Sequence, residues 1–233
     1  MIALTKKGRQ PVEVVGILGD QHHPFIHKDY LTFALDTGKR YGVNRWVNAG
    51  DEVDQCGLGN YDNDPDGMSP GDEYLAAMES IQPWYKAFPK MDIMESNHGM
   101  RPFKKAFKAG IPKAYLRTYK EFMQCPEGWN WHHRLIINKV MYFHGEPHSG
   151  QLAAVNAAKA NRMSCVIGHI HSYGGANYSR NFKDEIFGLN VGCGIDEKAY
   201  AFHYAKEMPT RPTLGMGIVI DGREALFISM GSK

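Results

Sequence analysis

Five short apolar runs in this chain each end within a few residues of an Asp, Asn or His. Val12–Leu18 (VEVVGIL) leads to Gly19-Asp20, and Val43–Ala49 leads to Gly50-Asp51. Met91–Glu95 stops just before Asn97-His98, Met141–His144 closes on its own histidine, and Cys165–Ile167 runs into Gly168-His169. Short runs of this composition bounded by glycine predict buried strands. Helical spacing appears between them, over Asp29–Tyr41 (Leu31, Ala34, Leu35, Gly38) and on the face Leu75, Met78, Ile81, Tyr85 and Phe88, which is expected to break or bend near Pro83. Two further helical regions are expected over Pro102–Gln124 and the Ala-rich Gln151–Arg162. Arg134–Ile137 and Met141–His144 predict a hairpin turning at Asn138-Lys139, the polar Gly57–Asp72 stretch a surface loop, and Ala176–Ser229 a series of short strands and turns. With no repeat or linker, residues 1–233 form one α/β domain. In layered folds of this class, ligands collect at the C-terminal strand edge, where several strands deliver side chains on loops held by a rigid sheet.

Composition mainly excludes. A hydrophobic fraction of 43% and a charged fraction of 22% are those of an ordinary globular chain, and a net charge of +2 favours no partner. Cys56, Cys125, Cys165 and Cys193 form no Cys-x-x-Cys pair, so neither a thiolate zinc site nor a disulfide framework is expected; they read as small buried hydrophobes. The N-terminal apolar run ends in Asp20, not at a small-residue cleavage site, and reads as a core strand. No stretch approaches the roughly 18 apolar residues of a membrane span, so a cytoplasmic enzyme without a membrane partner is the expectation.

The chemistry lies in Asp20-Gln21-His22, Gly50-Asp51-Glu52-Val53-Asp54, Ser96-Asn97-His98, His144-Gly145 and Gly168-His169-Ile170-His171. Imidazole, carboxylate and amide oxygen together suit zinc, manganese, iron or nickel. Alternate residues such as Asp20/His22 and His169/His171 point to one side of an extended backbone, so each pair can offer two ligands to one cleft. Glycines beside Asp51, His144 and His169 let the backbone turn sharply there.

The order Asp-x-His, Gly-Asp-x-x-Asp, Asn-His, His-Gly and Gly-His-x-His resembles the five-block signature of the calcineurin-like metallophosphoesterases, from Asp20 to His171. A Tyr-Asp-x-Asp-Pro-like stretch at Tyr61–Pro65 and the Asn190–Cys193 run are similar to the small versions carried by bacteriophages. The resemblance implies two packed mixed β-sheets flanked by helices, an αββα sandwich. It also implies two divalent metal ions, manganese first, with iron, zinc or nickel as alternatives. Asp20, His22 and His171 would then bind one ion, Asn97, His144 and His169 the other, with Asp51 bridging. Two such ions, roughly 3.5–4 Å apart, can activate a bridging water and clamp the oxygens of an in-line displacement. His98 would donate a proton to the leaving oxygen and Asp54 would orient its ring, a task suited to an imidazole held by a carboxylate. Three positions depart from the family pattern: Ser96 stands where Gly is usual, Gly99 where Glu or Asp is usual, and Gln55 where protein serine/threonine phosphatases place a phosphate-gripping Arg.

Other features admit plainer readings. His23, His132, His133, His148 and His203 have no supporting block and are expected to be structural, although His23 and His148 flank the site. Arg101, Lys104, Lys105, Lys108, Lys113, Arg117 and Lys120 form a basic run interleaved with Phe103, Phe107, Tyr115 and Tyr119. It is either an amphipathic face with core aromatics or a surface that tracks a nucleic-acid backbone and stacks on bases. Trp129 and Trp131 read as packing. The Gly57–Asp72 loop is a candidate lid, and its Asp62, Asp64, Asp66 and Glu73 only weakly match a calcium loop. The expectation is a phosphoester hydrolase that prefers diesters, including DNA or RNA. The alternatives are a phosphomonoesterase acting on protein or small molecules, and a catalytically silent metal-binding module.

Overall fold

The computed structural model of the chain describes residues 12–59, 67–199 and 210–231. Strands β1 (Val14–Leu18), β2 (Arg45–Asn48), β3 (Lys90–Met94) and β4 (Gly128–His132) lie parallel and side by side. The first sheet is completed beyond β1 by the antiparallel β10 (Gly215–Ile220) and β11 (Glu224–Ser229). The second sheet has β6 (Val140–Tyr142), β7 (Ser164–Ile167) and β9 (Glu185–Val191) in parallel, with β5 (Leu135–Ile137) and β8 (Gly174–Arg180) antiparallel at its edges. Both sheets are mixed. Helices flank them, as an αββα sandwich requires.

The layering follows from which faces are apolar. Val15 and Ile17 of β1 enter the core between the sheets, against Val166, Leu189 and Val191. Val14 and Leu18, one pleat out of phase, enter the core under helices α1 (Tyr30–Tyr41) and α2 (Pro70–Ala87). Helix α5 (Ala153–Asn161) lays Ala153, Ala154, Ala157 and Ala158 on Met141, Cys165 and Ile167 of the second sheet. A strand buried on both faces has little freedom to slip in register, since a shift of one residue would exchange its two apolar faces. The loops that leave β1, β2, β3, β6 and β7 are thereby fixed. Among the described residues no helix is long and apolar enough to cross a membrane.

Several elements differ from expectation. The Pro102–Gln124 region is not one helix but α3 (Arg101–Lys108), a 3₁₀ turn (Lys113–Tyr115) and α4 (Tyr119–Met123). Gly110 at φ +71° and Pro112 end the first piece, and the Thr118/Glu121 capping box starts the last. α2 runs unbroken through Pro83, whose ring is exposed, as is Glu79, whose carbonyl loses its partner; water can satisfy that carbonyl. The loop expected over Gly57–Asp72 holds a 3₁₀ turn at Cys56–Leu58 and ends early, because Ser69 caps α2 with Pro70 in its first turn. Tyr61–Pro65, with Asp62, Asp64 and Asp66, and also His203, lie outside the described residues. Glu73 is occupied by capping, accepting the N–H groups of Cys56 and Gly57 at 2.7 and 3.0 Å. The hairpin turn holds: Asn138 and Lys139 both have positive φ, 47° and 64°.

β4 was not expected, since WNWHH has neither β-branched residues nor clean alternation. Its Trp129 is fully buried, packs edge-on against Tyr85 and donates its Nε1–H to the Phe88 carbonyl at 2.7 Å. Packing was the right reading of this tryptophan. Trp129→Ala is expected to lower unfolding stability by about 3–5 kcal/mol. A urea titration finding less than about 1 kcal/mol would mean that the strand is held by its backbone pairing alone.

Candidate metal centre

The loops leaving β1 and β2 run alongside one another. The N–H groups of Asp20, His22 and His23 donate to the carbonyls of Gly50, Asp51 and Glu52 at 3.0, 2.9 and 2.9 Å. This pairing curls the chain: Asp20, His22 and Asp51 have φ of 50°, 50° and 53°, and His169 has 67°. The extended backbone expected from alternation is therefore absent at these positions. They sit in the left-handed region, which Asp and His enter more readily than most side chains. The pairs still meet, because Asp20, His22, Asp51 and His171 bring ligand atoms within 4.8 Å of one another. Gly50, at φ +102°, is needed for close approach: a Cβ there would lie 2.8 Å from His144 Nδ1 and 2.9 Å from the Met94 carbonyl oxygen.

A second group, Asp51, His144 and His169, satisfies the same distance limit and shares Asp51 with the first. Asn97 joins it, its Oδ1 2.7 Å from His144 Nε2. All seven residues expected to hold metal are thus gathered at one edge of the sandwich, around one shared carboxylate. His22, Asp54 and His98 form a third cluster beside them.

The ring tautomers follow from acceptors that can only accept. His22 Nδ1–H donates to Asp54 Oδ1 at 2.6 Å, and His144 Nδ1–H donates to the Ala49 carbonyl at 2.9 Å. Both rings are therefore oriented with Nε2 turned inward, the outer-shell arrangement typical of metal-ligating histidines. His22 Nε2 and His171 Nε2 stand 3.2 Å apart. Two lone pairs at that separation need a proton or a cation between them, and ligand bonds of 2.0–2.2 Å place adjacent donors about 3.0–3.4 Å apart. The donor set fits a divalent ion.

Electrostatics agree. Burial resists ionisation of Asp51, but the charges of His144 and His98 prevail and hold its carboxyl well below the usual range. Asp20 and Asp54 are lowered in the same way, burial being outweighed by hydrogen bonds from His171 and from His22 and His98 respectively. Burial lowers His22 and His169 and so favours neutral rings with a free lone pair. Burial also resists charge on His144, yet Asp51 lifts its pKa to about 9.

His98 is held at three points. Its main-chain N–H donates to Asp51 Oδ1 at 3.1 Å, and its Nδ1 lies 2.6 Å from the Asp54 carbonyl oxygen and 3.1 Å from Asp54 Oδ1. Asp54 therefore contacts two histidines at once. Arg101 was expected only as part of the basic run, but it reaches the centre itself. Its Nη1 donates to the carbonyls of Asp54 and Gln55 at 2.9 and 3.1 Å, and its Nη2 lies 3.0 Å from His98 Nε2. The signal was the three-residue spacing from His98 at a helix start. Burial lowers the His98 pKa, the carboxylates of Asp51 and Asp54 raise it above its ordinary value, and Arg101 pulls it part of the way back.

Gly99 departs from the family pattern for a steric reason. It is buried, and a Cβ there would lie 2.7 Å from the Tyr119 hydroxyl and 3.2 Å from Ser96 Oγ, which accepts the Gly99 N–H. Glu52 is also buried and accepts Trp131 Nε1–H at 3.0 Å; the sequence did not single it out. The Asn190–Cys193 run leads to Gly194, which donates its N–H to the Asp20 carbonyl at 3.1 Å and so braces that loop.

The plain readings of the remaining histidines agree with their surroundings. His23 is buried on Trp84 and bonded to Ser80 Oγ at 2.8 Å, with its pKa lowered by burial to about 3. His132 pairs with Asp92 at 2.8 Å, exposed His133 faces Glu95, and His148 lies against Phe143. Cys165 and Cys193 are buried, and Cys56 and Cys125 half-buried.

No protein-family model matches the chain, and no curated protein matches it. Solved structures similar to it include a metallophosphoesterase from Sphaerobacter thermophilus (14% identity, 94% of this chain and 88% of that one, TM-score 0.47). Another is a conserved protein from Streptococcus pneumoniae described as a predicted phosphoesterase (13%, 95% and 91%, 0.41). A third is vacuolar protein sorting 29 from Cryptosporidium parvum (11%, 94% and 98%, 0.43). At such identities the side chains, not the shared trace, decide what the site does.

Asp54→Asn is expected to weaken binding of Mn²⁺ about 10–100-fold, because it loosens His22 without removing a ligand. Isothermal titration calorimetry with Mn²⁺ measures this, and an unchanged affinity would show that His22 needs no such support.

Proposed function

We propose that the protein is a dinuclear-metal phosphodiesterase of the calcineurin-like kind, acting on nucleic acid. The observation that carries this reading is the pair of ligand groups sharing Asp51, with His98 held beside them. Asp20, His22, His171 and Asp51 would hold one divalent ion, and Asn97, His144, His169 and Asp51 the second. Bound there, such ions supply Lewis acidity and an activated water at neutral pH. The protein's own residues do the rest. Asp54 fixes the His98 ring through Nδ1, and Nε2, 3.0 Å from Arg101 Nη2 and 3.9 Å from Asp51 Oδ2, would carry the proton for a leaving oxygen once a phosphoryl group draws the guanidinium onto its own oxygens. Arg101, beside Nε2, offers a guanidinium to non-bridging phosphoryl oxygens. It supplies from α3 the cation that Gln55 lacks.

The preference for a nucleic-acid diester rests on the surface that follows Arg101. Tyr119 packs on the core with half-buried Phe103 beside it, their rings 6.1 Å apart, but Phe107 and Tyr115 are 84% and 81% exposed. Lys104, Lys105, Lys108, Lys113 and Arg117 are exposed around them. A merely solvated amphipathic face would have buried all four aromatics. Exposed rings set among cations suit a single strand, by stacking on bases and pairing with phosphates.

Metal-loaded protein is expected to cleave bis-p-nitrophenyl phosphate faster than the monoester, and single-stranded DNA as well. A clear monoester preference without DNA cleavage would replace the nuclease with a phosphomonoesterase, and bound metal without any hydrolysis would leave a binding module. His98→Ala should lower kcat on a poor leaving group about 10²–10⁴-fold with metal retained. Asp51→Asn should lose both metal and turnover. Full activity of His98→Ala on that substrate would remove the proton-donor assignment.

A further inference from the structure

α3 begins at the metal centre and carries its charge in one line. Arg101, Lys104, Lys105 and Lys108 recur at i, i+3, i+4 and i+7, which places them on one helical stripe about 100° wide. Buried Ala106 and half-buried Phe103 lie on the opposite side, and the three lysines are exposed. No Asp or Glu interrupts the run from Arg101 to Lys120. Lys105 and Lys108 suit the last turn of a helix, but Arg101 occupies the first position, where the helix dipole opposes a positive charge. The centre sets its place instead: Nη1 is held by the Asp54 and Gln55 carbonyls, and Nη2 lies 3.0 Å from His98 Nε2. The rim formed by the second sheet differs. Residues 145–151 and 168–173, which follow or carry His144, His169 and His171, contain no lysine or arginine.

In an in-line displacement the attacking and leaving oxygens stand on opposite sides of phosphorus. Water adds to phosphorus, the bond to the leaving oxygen breaks, and His98 Nε2 supplies that oxygen with its proton. Whatever is attached to the leaving oxygen therefore extends from the His98 side, where the α3 stripe starts. From Arg101 to Lys108 the helix rises about 10 Å, the length of about three phosphate steps in a stacked single strand. We propose that α3 holds the departing strand: Arg101 takes the scissile phosphoryl group, and Lys104, Lys105 and Lys108 take the next phosphates on the leaving side. The fragment that keeps the cleaved phosphate has no such track, so strand length is read through the leaving group. As an assignment of polarity at the same site, this rests on the phosphodiesterase reading above.

Two measurements test it. The first gives Mn²⁺-loaded protein thymidine oligonucleotides of one to four residues, capped by a methyl phosphodiester at the 5′ or the 3′ end. Hydrolysis of the cap releases either methyl phosphate and a hydroxyl-ended strand, or methanol and a phosphate-ended strand. In the better substrate of the two the first pair should prevail, and its kcat/KM should rise about ten-fold from one residue to four, through KM. The combined Lys104→Ala, Lys105→Ala and Lys108→Ala variant, shown to be folded by circular dichroism, should lose that rise. The second follows binding of a fluorescent, hydroxyl-ended tetrathymidylate to metal-free protein by anisotropy. Its three phosphates match the three lysines, so affinity should fall about 20-fold between 50 and 200 mM salt, and the triple variant should lose most of the binding. Hydrolysis that yields mainly methanol and a phosphate-ended strand, or equal rates at every length, overturns the leaving-strand assignment and leaves the hydrolase. No hydrolysis of any ester sinks the hydrolase and its leaving side, while binding lost in the triple variant would still keep α3 as the strand surface. Equal binding by both proteins overturns the track itself.

Discussion

A buried carboxylate joins the two sheets at the edge where the site forms. Both oxygens of Asp20 lie within 3.0 Å of the His169 main-chain nitrogen, so the exit of β1 in one sheet is tied to the exit of β7 in the other. Asp20 is completely buried, so removing this acceptor would leave the His169 N–H without a partner in low dielectric. The gap between the sheets is thereby fixed where His144, His169 and His171 face Asp51. The sandwich thus holds the two clusters of candidate ligands at a set separation.

Much of this was legible in the sequence because the signals were local. Each apolar run ended near its polar residue, and β1 is buried on both faces, as the near-continuous apolar run VEVVGIL implies. What escaped depended on contacts between distant segments. β4 is a strand because Trp129 finds Tyr85 and Phe88, not because its own residues favour one. Arg101 enters the centre only because α3 starts one turn after His98. The left-handed turns at Asp20, His22 and Asp51 arise from pairing between two loops that no single-segment reading brings together.

The three departures from the family pattern now have separate physical accounts. Gly99 yields its space to Tyr119, and Ser96 supplies the acceptor for its N–H. Gln55, with its side chain buried, gives its main-chain carbonyl to a guanidinium arriving from α3. All three positions lie next to residues that contact α3 or the helix α4 that follows it.

The left-handed backbone at four ligand positions bears on how the site can be probed and on how it can diversify. Alanine at Asp20, His22, Asp51 or His169 removes a donor atom and also places a residue with a lower tolerance for positive φ at a strained turn. A loss seen in such a variant mixes two causes. Asparagine, which accepts the same conformation, separates them. For the same reason the substitutions open to these positions over time are narrower than ligand chemistry alone would allow, since a β-branched or bulky replacement is refused by the main chain before any ion is consulted.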